Sequence, residues 1–277
     1  MLYSTDILIN KTISFIETFI ENGERVDLEK ISHYTGYSKR HIQRIFKSKT
    51  GKPLGKYILH RRLTWAALLL KFTRKEFNVI AYDLYFDSQQ SFNREFKKYF
   101  GITPSKYRSG SEWLTHPLLG RGHAITIENN IEPVYMEQGY IFGREFKYSR
   151  FISNRETTQS YEKYLDFVFN SVSSLKEKEE LWVVSRLNKE QPRDDRYYAT
   201  SCVGKVDGKG VKSKYNSGIY IKTVFETSRS SHTNKINNNY LNVFPGVYAD
   251  VMTGCDVEVF FKDNNTIKCK HFMPSKD

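Results

Sequence analysis

Residues 38–57 (SKRHIQRIFKSKTGKPLGKY) and 88–107 (SQQSFNREFKKYFGITPSKY) are one passage written twice, fifty positions apart. Ser38/Ser88, Arg44/Arg94, Phe46/Phe96, Lys47/Lys97, Gly51/Gly101, Lys56/Lys106 and Tyr57/Tyr107 are identical, where chance would give about one match. Two copies are too few for a stacked array, so they read as two related modules of one unit. Each copy opens on Ser, a favoured helix N-cap. Ile42, Ile45 and Phe46 in the first copy, and Phe92 and Phe96 in the second, then recur at helical spacing. That spacing leaves Lys39, Arg40, Gln43, Arg44 and Lys47 outward in the first helix. In the second it leaves Gln89, Gln90, Asn93, Arg94 and Lys97 outward.

A short helix precedes each copy: Leu28 to His33, capped by Asp27, and Phe77 to Tyr82. The first turn, Thr35 to Ser38, holds Gly36, which supplies the backbone angles of a tight turn. The second turn, Leu84 to Ser88, is one residue longer and carries Tyr85 where Gly36 stood. Helix, tight turn, helix with a polar outer face is the helix-turn-helix pattern, expected at about 27–48 and 77–99. Between the two motifs the sequence predicts one long helix, Leu54 to Phe72. Its apolar run Trp65 to Leu70 lies between Arg61-Arg62 and Lys71. It is far short of the roughly 20 residues a membrane span needs, so it reads as a buried helix. A further helix over 4–22 ends at Asn22-Gly23.

Charge follows the repeat. Residues 1–108 hold 20 Lys and Arg against 10 Asp and Glu; the remaining residues hold 23 against 21. Lys39 to Arg62 contains nine basic residues and no acidic one. Such asymmetry points to a polyanionic partner for the first half, with a merely solvated basic face as the plainer alternative. Residues 109–122 carry Ser, Gly and Pro, break the helical period and read as a linker. Beyond them come short alternating runs at Ile125–Ile127, Tyr140–Tyr148, Leu181–Ser185, Tyr197–Val203, Gly218–Phe225, Val257–Phe261 and Ile267–Met273. One helix is expected at Gln159–Val172 and a weaker one at Thr233–Leu241. The expected architecture is multidomain, an all-α N-terminal domain with two helix-turn-helix motifs joined by a long helix, then an α+β domain.

The phrases GYSKRHIQRIFKSKTGKPLGKYI (36–58) and FDSQQSFNREFKKYFGITPSKYR (86–108) resemble the DNA-binding domain of the AraC/XylS family of bacterial regulators, and its MarA/SoxS/Rob branch in particular. GYIFGREFKYS (139–149), SRLNKEQPRDDRYY (185–198) and CKHFMP (269–274) are similar, more faintly, to a GyrI-like domain, the Rob C-terminal type. The resemblance implies a cytoplasmic monomer with a DNA-binding domain over 1–108, a linker over 109–122 and a GyrI-like regulatory or ligand-binding domain over 123–277. It also implies an asymmetric double-stranded DNA site and a contact with RNA polymerase, as in an activator. Successive major grooves lie about 34 Å apart, and a helix of about 19 residues spans about 28 Å, which agrees.

By the same resemblance, base contacts would come from Arg40, Gln43 and Arg44 in the first recognition helix and from Gln90, Ser91, Asn93 and Arg94 in the second. Arg pairs bidentately with guanine, and Gln or Asn with adenine. Lys39, Lys47, Lys52, Lys56, Arg62 and Lys97 suit phosphate contacts, which add affinity without sequence choice. One departure stands out: related sequences carry Trp where this chain has Arg40, so an apolar contact to a thymine methyl gives way to a long cation. For a small amphiphilic effector, the candidate pocket residues are Phe146, Tyr148, Trp182, Tyr198, Tyr220 and Phe225, with ordinary core packing as the alternative for each. Lys270 stands where relatives have Glu, which implies a preference for anions.

Glu226 and Glu258 read as surface carboxylates. Cys202, Cys255 and Cys269 are too widely spaced for a metal cluster and read as buried thiols. No catalytic motif, cofactor or metal site is legible, and none is expected. The rival function is a non-specific architectural or replication-origin DNA-binding protein, which would need the cations without the Gln, Asn and Arg faces.

Overall fold

The computed structural model describes residues 5–110, 119, 131–152, 157–240 and 254–275. Its contacts divide the chain into two units, the first holding the helices up to Gly110 and the second all the strands. The first unit comprises α1 (Thr5–Glu21), α2 (Leu28–Thr35), α3 (Lys39–Thr50), α4 (Leu54–Phe72), α5 (Phe77–Asp83), α6 (Gln89–Phe100) and α7 (Pro104–Ser109). These match the helices expected from periodicity and capping, with α7 added by Pro104 at its first turn and Thr103 as its cap. Helices α1, α3, α5, α6 and α7 pack on α4, and α2 packs on α1 and α3.

Most of α4 is buried, from Leu54, Tyr57 and Ile58 to the unbroken stretch Leu63–Lys71. A helix apolar around its whole girth has to be enclosed by protein. One charge inside this core is matched. The Arg61 Nε donates to Glu17 Oε1 at 2.7 Å and its Nη2 to Glu17 Oε2 at 2.6 Å. Tyr57 donates to the same carboxylate at 3.2 Å, and Arg61 Nη1 donates to the Leu119 carbonyl. Arg61 is wholly enclosed, and the two-pronged pair ties α1 to α4. Aromatic side chains close the other end, where Tyr107 meets Phe96 and Phe100 edge-on.

The second unit comprises β1 (Glu132–Met136), β2 (Gly139–Phe151), α8 (Gln159–Ser173), β3 (Glu180–Leu187), β4 (Arg196–Lys205), β5 (Val211–Tyr215), β6 (Gly218–Thr227), α9 (His232–Asn238), β7 (Asp256–Asp263) and β8 (Thr266–Pro274). The strands form one antiparallel sheet in the order β1-β6-β8-β7-β3-β4-β2-β5. This order is a palindrome of two strand-strand-helix-strand-strand halves. Exchanging β1 with β5, β2 with β6, β3 with β7 and β4 with β8 reverses it onto itself. Each half lends its first strand to the other: β1 pairs with β6, and β5 with β2. The registers agree, since Met136 lies opposite Gly218 and Tyr215 opposite Gly139.

The sequence reading misses β1 and β5, the two lent strands, which are five residues long and have no buried residue. The expected strand at Ile125–Ile127, and nearly all of the expected linker, lie outside the described residues. The second expected helix is present as α9, His232–Asn238, and the last residue of its expected range lies outside the described residues. Helix α8 packs on one face of the sheet through Tyr161, Tyr164, Leu165, Val168, Phe169 and Val172. Among the described residues, no helix is long and apolar enough to cross a membrane.

Arg61→Ala leaves Glu17 buried without its cation and should lower the stability of the helical unit by about 3–5 kcal/mol. The paired change Glu17→Leu with Arg61→Met should recover most of it, as read by urea unfolding of all four chains in a double-mutant cycle.

Candidate nucleic-acid interface

Two of the seven identities that define the repeat cap its helices. Ser38, with extended backbone, accepts from the His41 N–H at 3.3 Å; Ser88 accepts from the Ser91 N–H at 3.1 Å. Gly51 and Gly101 close the two helices in the left-handed conformation, at φ 70° and 78°, each N–H reaching back to a lysine carbonyl four residues earlier. Phe46 and Phe96 are the buried anchors between. Caps and anchors fix which face of α3 and α6 turns outward.

On that outer face Arg40, Gln43, Arg44, Gln90 and Arg94 are exposed, while Ser91 and Asn93 are half-buried. Lys39, Lys47, Lys56 and Lys97 are exposed as well, Lys39 within 3.5 Å of Glu29. Tyr37 stacks on His41 at 5.0 Å at the start of α3. Lys52 is half-buried; burial, then Lys52 and Lys56, hold the His60 imidazole below its usual value. The two outer faces bring guanidinium, amide and ammonium groups onto rigid helices, the chemistry that suits base edges and phosphates.

Arg62 is placed differently from the expectation. Its guanidinium lies over the Phe86 ring at 4.4 Å and its Nε donates to the Leu84 carbonyl. Burial, the dominant influence, lowers its pKa to about 10. A cation turned in to hold the second motif's turn is not available to a phosphate, so Arg62 leaves that set. The longer second turn also has a defined shape. Tyr85 adopts φ 56°, the left-handed region that Gly36 occupies at φ 73° in the first turn.

In the strand-rich unit the seven expected pocket residues do not converge. Phe146, Tyr148 and Phe225 face α8. Trp182 lies with the core of the opposite face, and strand alternation puts Tyr198, Tyr220 and Lys270 on that opposite side too. Lys270 pairs with Glu180 at 2.9 Å and lies over Phe261, so its charge is already matched. The anion preference read from Lys270 loses its basis.

Glu226 is exposed as expected, but Glu258 is not a surface carboxylate: it is 7% exposed and lies 2.9 Å from the His232 Nε2. The reason is its strand. β7 is buried on both faces, Val257 and Val259 against one and Phe260 against the other. Burial alone would raise the Glu258 carboxyl, but His232, with His271 opposite it in register, holds it below the usual range. Nearby on the same face, Arg150 lies over Tyr161 at 4.8 Å and donates to Asn237. Tyr148 shares a hydrogen bond with Ser201 at 3.0 Å, and burial pushes its phenol far up. The missed signal was the run Val257-Glu258-Val259-Phe260, where an acid interrupts an otherwise continuous apolar strand.

A family profile described as a helix-turn-helix domain matches residues 31–110. The chain is 32% identical over 272 residues to the F1 operon positive regulatory protein of Yersinia pestis, covering 96% of this chain and 87% of that one. It is 40% identical over 116 residues to the multiple antibiotic resistance protein MarA of Escherichia coli, 40% of this chain and 90% of MarA. It is 47% identical over 88 residues to the transcriptional regulator Rob of Salmonella typhimurium, 32% of this chain and 30% of Rob. The fold, the paired motifs and this near full-length likeness define a DNA-binding transcription regulator. The chain belongs to the AraC/XylS family, and the Rob-like branch fits it.

Because Glu258 is held below the ordinary carboxylate value of about 4.3, its stabilising contribution is complete above that value and lost as pH falls through the lowered one. Glu258→Gln should cost about 3–5 kcal/mol at neutral pH and flatten the acid limb of the stability curve. Thermal unfolding followed from pH 7 downward reads both effects.

Proposed function

We propose that the chain binds an asymmetric duplex site as a monomer, placing α3 and α6 in successive major grooves, and that it activates transcription by contacting RNA polymerase. The observation that carries this reading is the duplication on α4: two helices with the same caps, the same buried anchor and outer faces rich in Arg, Gln, Asn and Lys. In this reading Arg40, Gln43, Arg44, Gln90, Ser91, Asn93 and Arg94 read bases. Lys39, Lys47, Lys52, Lys56 and Lys97 hold phosphates. Residues 1–108 form the DNA-binding domain, 109–122 the linker and 123–277 a GyrI-like domain that senses a small amphiphile or otherwise controls activity. The palindromic sheet and the buried aromatic and charged groups under α8 support a regulatory role of this kind.

The decisive test is selection of bound duplexes from a random pool by the full chain. An asymmetric consensus spanning two turns is expected; a footprint of one turn, or none preferred, refutes the reading in favour of an architectural protein. On the selected duplex, Arg44→Ala should cost about 1–3 kcal/mol and relax specificity at one position. Lys47→Ala should weaken selected and random duplexes alike and reduce the salt slope by about one.

For the effector, a thermal-shift screen of the full chain with anionic and cationic amphiphiles should reveal at least one stabilising class. If neither class stabilises the protein, the sensing role is wrong.

A further inference from the structure

The left-handed residue in the second turn is the place where local sterics and the chain disagree. A side chain at φ 56° is strained, and Gly would be the easy occupant. Gly36 shows this in the first turn, at φ 73° with open space where a Cβ would be. Tyr85 does not earn its position by filling the core of its own motif, since it is 41% exposed. Instead its hydroxyl donates to the carbonyl of Gly23 at 2.7 Å, a residue 62 positions earlier in the turn that closes α1. That carbonyl is held in place: Gly23 donates to Ile20, and Glu24 donates to Phe19.

The surroundings show why such a contact matters. A cavity of about 320 Å³ separates the α1–α2 turn from the α5–α6 turn, lined among others by Gly23, Asp27, Arg62 and Tyr85. A gap of this size leaves the two sides without the close packing that normally fixes the angle between modules. Two side chains bridge it. Arg62 reaches from α4 to Phe86 and Leu84, and Tyr85 reaches from the second turn to Gly23. The Tyr85 bond joins the second motif to the first side without passing through α4.

We infer that Tyr85 is a positioning residue for DNA recognition, a latch that fixes the angle between the two helix-turn-helix motifs and so sets which spacing of half-elements the protein accepts. The inference rests on the two-motif reading above. A recognition group has to be held within about 0.5 Å and 10–20° of its productive place, and a hinge at the cavity would exceed that.

Two variants of the full chain separate the latch from simple stability. Tyr85→Phe keeps the ring and the strained backbone and loses only the hydroxyl. Tyr85→Gly relaxes the turn and removes the arm. On a duplex selected by the parent, both should bind about five- to tenfold more weakly, the scale of one lost hydrogen bond. Both should also lose discrimination against the same duplex with one base pair inserted between its half-elements, while Tyr85→Gly melts no lower than the parent. Equal binding by all three chains, or weaker binding with the spacing discrimination intact, overturns the inference.

A second measurement needs no DNA. Spin labels on Ser48→Cys and Lys98→Cys, both exposed positions, report the distance between α3 and α6; Cys202, Cys255 and Cys269 are buried away from the label. The distance distribution should broaden in both Tyr85 variants, and an unchanged distribution refutes the latch. If no duplex is preferred by the parent, the proposed function fails, and the label distances still decide the inference.

Discussion

Helix α4 and the ion pair inside it govern the helical unit. Five helices pack on this one, which is buried without a break over Leu63–Lys71. Dispersion and apolar burial hold the group together but have no direction, so they leave rotation about the α4 axis poorly determined. The Glu17–Arg61 pair supplies direction. Its two parallel hydrogen bonds have one geometry, and outside that geometry each charge would remain buried and unmatched. Such a pair adds little net stability over a well-packed apolar one. What it excludes is sliding of α1 along α4.

The helical half was legible because its determinants are local. Caps lie within three or four residues of what they cap, and the 3.6-residue period is written in consecutive residues, as at Ser38, Ile42 and Phe46. Arg62 shows the limit of that reading. Charge and position on the helix made it a phosphate ligand, and only the approach of Phe86 and Leu84 from the second motif's turn shows that it points inward.

The strand-rich half was legible as strands but not as a site. Alternation says that Tyr197 and Tyr198 face opposite ways, yet it cannot say which side of β4 lies under α8. That depends on the registers of β2 and β3 against it, which join residues tens of positions apart. Phe146 and Tyr148 therefore could not be distinguished from Trp182 and Lys270. Glu258 failed for a related reason. Acids are seldom buried, and its partner His232 arrives from a helix after a different strand.

Both halves of the chain are duplications, and only one shows it in sequence. In the helical unit the copies keep Ser, Arg, Phe, Lys and Gly, because capping, anchoring and the outer face each demand a particular side chain. In the sheet the copies keep strand order, exchange of the first strand and register, while hardly any residue is shared. Gly139 and Gly218, with Phe146 and Phe225 seven residues after each, are among the few traces. A pleated sheet asks only for alternation and suitable volume, so many sequences satisfy the same place in it. Lending the first strand to the other half has its own consequence. Neither half can complete its sheet alone, so β1 and β5, the least buried strands, join the halves at their far edges while β3 and β7 join them at the centre. The two exchanges and the central pairing make the eight strands one continuous sheet.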